Sequence, residues 1–140
     1  MIKLSKVGGL DLLFFVLLTF SAPAFSQHTL QVEVTGIKND TGVIMLQLLN
    51  SREEVVLREK GTIIRGVSEI SIKEVPSGKY GIRYFQDENG NGVLDKNKLG
   101  IPKEGYGFSN NAYSLFGPKP FNEWLFEITD DKELVLKIKY

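Results

Sequence analysis

The chain has 140 residues, no cysteine and one histidine, His28. The absence of cysteine excludes a disulfide framework, a thiolate nucleophile, a Cys-type zinc site and a lipid-modified cysteine. A single histidine excludes a His-based metal site, and any Ser-His-Asp system would have to be built on His28. No Gly-x-Ser-x-Gly elbow is present, and no glycine-rich phosphate motif links a strand to a helix. Charge of one sign is missing too, since 17 Lys and Arg balance 17 Asp and Glu. A chain so close to neutral has no overall field to steer it toward nucleic acid or an anionic membrane. Helical periodicity is the last absence. No stretch keeps a 3.6-residue period beyond two turns, which argues against the crossover helices of a parallel α/β sheet.

The first segment has the three parts of a secretory signal peptide. Lys3 and Lys6 provide the positive start, and Leu12 to Phe20 the apolar core. Small residues then flank a cleavage point, with Ala24-Phe25-Ser26 before Gln27 and Ala22-Pro23-Ala24 as the alternative. A spanning helix needs about 20 apolar residues. This run is far shorter and begins just after Asp11. The expected division is therefore a signal peptide over residues 1–26 and one domain over 27–140, secreted or periplasmic, with no membrane insertion once the signal is removed. Cleavage after Ser26 leaves 114 residues with 15 basic and 16 acidic side chains. That length suffices for one core without staples.

Period-two alternation dominates the rest. Leu30, Val32 and Val34 alternate with Gln31, Glu33 and Thr35, and Asn39-Asp40-Thr41-Gly42 ends the run as a turn. Ile44, Leu46 and Leu48 form a second strand. Ser51-Arg52-Glu53-Glu54 fits a capping box and predicts one helical turn to about Leu57. Further strands are expected over Thr62 to Val67, around Ile70 and Ile72, and over Tyr80 to Tyr84. Trp124 to Ile128 and Leu134 to Tyr140 complete the set. About seven short strands with turns at intervals of roughly ten residues predict a single antiparallel β-sandwich, immunoglobulin-like or prealbumin-like.

Asp87-Glu88-Asn89-Gly90-Asn91-Gly92-Val93-Leu94-Asp95 is the one chemically specific motif. Oxygen side chains stand at positions one, three, five and nine, with glycine at six, as in the first part of an EF-hand calcium loop. Calcium requires six to eight hard oxygens, and alternate residues of a tight loop point toward its centre. The candidate ligands are Asp87, Asn89, Asn91, Asp95 and the Val93 carbonyl. Position twelve is Lys98 where a bidentate Glu belongs, so the missing carboxylate would come from Glu104 or Glu88. No amphipathic helix flanks the loop, which excludes an EF-hand pair. The competing reading is structural, because Asn89-Gly90 and Asn91-Gly92 are dipeptides of tight β-turns.

Seven of the eleven aromatics that remain after cleavage lie in the 21 residues from Tyr106 to Phe126, interleaved with Gly, Asn and Pro. Tyr106, Phe108, Asn110, Asn111 and Tyr113 could form a surface for a carbohydrate or a protein ligand. The alternative, favoured by the burial energy of aromatics, is a loop that plugs one end of the core. Nothing in the inventory asks for an enzyme. A glycosidase-type carboxylate pair is the remaining route, and the acidic loop already accounts for Asp87, Glu88, Asp95 and Glu104.

Taken in order, "TGIKNDTGVIMLQLLNS", "VPSGKYGIRYFQDENGNGVLD", "LGIPKEGYGFSNNA" and "FGPKPF" closely resemble a family of secreted bacterial proteins, domain of unknown function 2141. The resemblance spans nearly all of the expected domain. It implies a periplasmic or extracellular location and carries no activity with it. "PSGKYGIRYFQD" is also similar to a strand of transthyretin-like and adhesin B-type sandwiches, which bears on the fold alone. The resulting expectation is a non-catalytic binding or structural module with calcium in its acidic loop. The alternative is an extracellular protein that binds carbohydrate or peptide through its aromatic loop.

Overall fold

The structure is a computed structural model that describes residues 26–140, so the expected signal peptide lies outside the described residues except for Ser26. Ten strands follow one another: β1 (Gln27–Thr35), β2 (Val43–Asn50), β3 (Val55–Thr62), β4 (Ser68–Pro76), β5 (Gly78–Asp87), β6 (Tyr106–Phe108), β7 (Tyr113–Ser114), β8 (Gly117–Pro118), β9 (Phe126–Ile128) and β10 (Lys132–Lys137). Single 3₁₀ turns occupy Ser109–Asn111 and Phe121–Glu123. No helix among the described residues is long and apolar enough to cross a membrane.

The chain is all-β, as the alternation requires. One sheet has the order β10-β1-β4, and the other runs β3-β2-β5. The free edge of β5 is shared. Its start pairs with β9 (Tyr80 opposite Phe126) and its later half with β6 (Phe85 opposite Tyr106). The inner faces of both sheets meet in one core. Leu30, Val32, Val34, Ile70, Ile72 and Leu136 come from the first sheet, and Ile44, Leu46, Leu48, Ile82, Tyr84 and Ile128 from the second. Each is the alternate residue of its strand, so the pleat alone sends it inward.

Three details depart from the sequence expectation. The pair β1–β10 is parallel, with Leu30 opposite Lys132, so the sandwich is not wholly antiparallel. β10 reaches its sheet by crossing from β9 in the other one, and such a crossing escapes the hairpin geometry that makes neighbours antiparallel. Ser51–Glu54 forms a tight turn in place of the helical turn. The Asn50 side chain accepts hydrogen bonds from the Arg52 and Glu54 N–H groups (2.9 and 3.1 Å), closing the turn one residue earlier than a Ser51 cap would. Finally, the strand expected at Thr62 to Val67 is the end of β3 followed by a turn. There Arg65 and Gly66 take positive φ, and the Asp40 carboxylate accepts both of their N–H groups at 2.8 Å. The count of ten exceeds seven because β6, β7 and β8 are short pieces inside the aromatic segment.

Candidate functional site

The acidic loop leaves the end of β5. Its first residue, Asp87, is buried (3 % exposed), and its carboxylate accepts the N–H groups of Gly90, Asn91 and Gly92 at 2.9, 3.1 and 2.9 Å. Gly90 and Gly92, both at φ +77°, let successive N–H groups turn inward on one anion. The loop lies hard against the β1–β2 connection. A Cβ on Gly42 would stand 1.9 Å from the Asp87 carbonyl oxygen, so only glycine permits this approach.

Three of the expected ligands meet inside the loop. The side-chain amides of Asn89 and Asn91 each donate to one oxygen of Asp95, while their carbonyl oxygens accept the N–H groups of Asn91 and Val93. Rotating either amide would turn its oxygen toward Asp95 and the loop centre. Val93 has an exposed side chain. Glu104 is buried and stands where the loop closes. One of its oxygens accepts the Glu88 N–H (2.9 Å) and the other the Asp95 N–H (3.0 Å), holding both ends together. Among the described residues no three His, Cys, Asp or Glu side chains gather as a metal-binding group. An ion here would therefore rely on carboxamide and carbonyl oxygens beside the carboxylates. Hard oxygen donors of this kind are those that calcium takes.

The aromatic segment divides between core and surface. Trp124 is buried, its ring 4.3 Å from that of Phe108 and 5.3 Å from that of Phe121, and its indole N–H donates to the Lys119 carbonyl. Ser109, fully buried, donates to the Trp124 carbonyl and accepts the Ile82 N–H, fastening the segment to β5. The polar groups expected to face a ligand are used internally. Asn110 donates to the Glu123 and Leu125 carbonyls, Asn111 accepts the Lys137 N–H, and the Tyr113 hydroxyl is within reach of the Tyr106 and Lys137 carbonyls. Burial pushes the Tyr113 hydroxyl above the usual tyrosine range.

Tyr106 and Phe108 remain half-exposed. Together with Met45, Phe85, Arg83 and Leu94 they line a groove of about 360 Å³ on the outer face of the second sheet, one wall of which is the acidic loop at Gly92 to Leu94. Sequence reasoning did not single out Met45, Arg83 and Phe85. The available signal was that Met45 and Phe85 are apolar residues on the outward beat of β2 and β5, directly opposite each other. Elsewhere, His28 Nε2 lies 2.8 Å from the Ser77 hydroxyl and 3.1 Å from that of Ser26, at the surface. Among the described hydrogen bonds none joins a carboxylate to the other ring nitrogen, as a triad would need.

No curated protein and no solved structure matches the chain. Residues 32–135 match the family model described as "uncharacterized protein conserved in bacteria" (DUF2141), so the chain belongs to that family.

Proposed function

We propose that the protein is an exported, non-catalytic β-sandwich module whose acidic loop takes calcium through Asp87, Asn89, Asn91, the Val93 carbonyl and Asp95, with Glu104 holding the loop closed. The observation that carries this reading is the convergence of Asn89 and Asn91 on the Asp95 carboxylate beside the buried Asp87. In the metal-free loop the two amides donate to Asp95, and turning each amide over would present its oxygen to an ion beside that carboxylate. Extracellular calcium modules bind at about 10⁻⁴–10⁻³ M. Binding to the folded state alone stabilises by about 1.4 kcal/mol at ten times Kd.

A thermal melt of the protein in chelator is compared with one in millimolar calcium. The midpoint rises with calcium and much less with magnesium, which is smaller and holds its waters. Asp95→Asn removes the rise. If calcium moves neither the melt nor a calorimetric titration, the loop is a turn and the proposal fails.

A second reading is supported by the groove of Met45, Phe85, Tyr106 and Phe108, with Arg83 at its side. Half-exposed aromatic faces beside a guanidinium suit the apolar face of a sugar or an extended peptide. Screening glycans and peptides against the protein and its Phe108→Ala variant separates this reading from a purely structural module, since only a ligand site loses hits.

A further inference from the structure

Two tight turns carry apolar side chains out into solvent at their tips. The β7–β8 hairpin presents Leu115 (92 % exposed) and Phe116 (99 % exposed). The turn from Lys96 to Pro102 presents Leu99 (84 %) and Ile101. Neither is a loose loop. Ser114 braces the first by donating to the Gly117 carbonyl and accepting the Phe116 N–H. Asn97 braces the second by accepting the Leu99 and Ile101 N–H groups. Large apolar residues held outward by built turns sit badly in water, and burial at an interface relieves that cost.

The base of the β7–β8 hairpin adjoins Tyr106, which shares its groove with Lys96, and the Tyr113 ring is 6.1 Å from the Tyr106 ring. Lysines flank both turns. Lys96, Lys98 and Lys103 lie between Asp95 and Glu104, whose carboxylates offset them. Lys139 stands 5.4 Å over the Tyr113 ring, and Lys137 is exposed beside it. Lys119 is neutralised by Glu123, and among the described residues none of the other five makes an ion pair. The unpaired positive charge beside the β7–β8 hairpin is that of Lys137 and Lys139.

We propose that this end of the molecule attaches to an anionic lipid bilayer, with Leu115 and Phe116 entering the headgroup layer and Lys137 and Lys139 meeting lipid phosphates. The order apolar tip, half-buried tyrosine, lysine is the order of polarity across a bilayer interface. Lys137 and Lys139, beside Tyr113 at the foot of the hairpin, supply the complement to anionic headgroups at about one Debye length or less. Attachment of this kind is interfacial and needs no spanning segment. It is independent of the calcium reading and is tested in chelator.

The full chain is sedimented with vesicles of equal parts phosphatidylcholine and phosphatidylglycerol, and with phosphatidylcholine alone. Binding is expected on the mixed vesicles, weaker on the neutral ones and weaker in high salt. The Leu115→Ser/Phe116→Ser double variant should bind at least about tenfold more weakly, from the transfer free energy of two exposed side chains. Its melt should be unchanged. An apolar leader retained on the chain would contribute equally to both proteins, so the difference reports the tip. Because the chain has no cysteine, Leu115→Cys carries a single environment-sensitive dye. That dye should shift to the blue on mixed vesicles, and one at Arg58→Cys on β3 should not. Absence of vesicle binding overturns the proposal, as does equal binding by the double variant. Self-association that the double variant abolishes, without vesicle binding, assigns the tip to a second copy and overturns it too.

Discussion

The hydroxyl of Tyr140 donates a hydrogen bond to the side-chain oxygen of Gln86, the fully buried residue that precedes the acidic loop. The Gln86 amide in turn donates to the Asn39 and Thr41 carbonyls, so one side chain fixes the β1–β2 connection against the loop. Tyr140→Phe leaves the Gln86 oxygen buried without its partner. The expected cost is about 1–3 kcal/mol, read from the urea midpoint.

Asp87 organises the loop even without metal. Asp87→Ala strips three N–H groups of a charged acceptor, and in chelator it should cost about 3 kcal/mol. Asp95→Asn should leave the chelated midpoint nearly fixed, which makes it the variant that isolates ion binding. Equal stability of the two variants in chelator would contradict this division.

Trp124 packs between Phe108 and Phe121 over Gly81, on the outward face of β5. Trp124→Ala should cost about 3–5 kcal/mol by equilibrium unfolding. A shift within error would place this residue outside the cooperative core.

Alkaline pH should unfold the domain. Burial pushes the Tyr84 hydroxyl far above the usual tyrosine range, with neighbouring Tyr113 adding to the effect. Burial likewise raises Tyr80, Tyr113 and Tyr140. Each is held as the neutral phenol in the fold and ionises at about pH 10 once unfolded. Their stabilisation is complete below that pH and falls as pH rises above it. The urea midpoint should therefore decline above about pH 10, and Tyr84→Phe should flatten the decline. At neutral pH the same substitution should cost little, because the Tyr84 hydroxyl is buried without a hydrogen-bond partner.

The proposed export gives a mature N terminus at or near Gln27. Sequencing protein recovered from the envelope or the medium checks this, and an intact Met1 on membrane-embedded chain would contradict it.

The strands were legible wherever alternation was clean, as in Leu30-Val32-Val34 and Ile44-Leu46-Leu48. Alternation reports which face is buried and is silent on which strand lies alongside, so the parallel β1–β10 pair could not be read. The turn at Ser51–Glu54 was misread because capping chemistry and Asx-turn chemistry use the same side chains, and Asn50 decided between them. Within the acidic loop the spacing announced Asp87, Asn89, Asn91 and Asp95 together. The clamping position of Glu104 depends on a return of the chain beside β5 that no local pattern encodes. Residues of the groove, Met45 and Phe85, were visible only as apolar residues on the wrong beat, a signal that the stronger inward beat concealed.

The parallel pairing of β1 with β10 also bears on when the molecule can fold. Thr29 and Asp131, 102 residues apart, are joined by a hydrogen bond at the start of that pair. The sheet β10-β1-β4 cannot be completed until β10 has been synthesised. Contacts of such long sequence separation slow folding toward the millisecond-to-second range. A first strand that must wait for the last leaves one edge of β1 unpaired until β10 arrives.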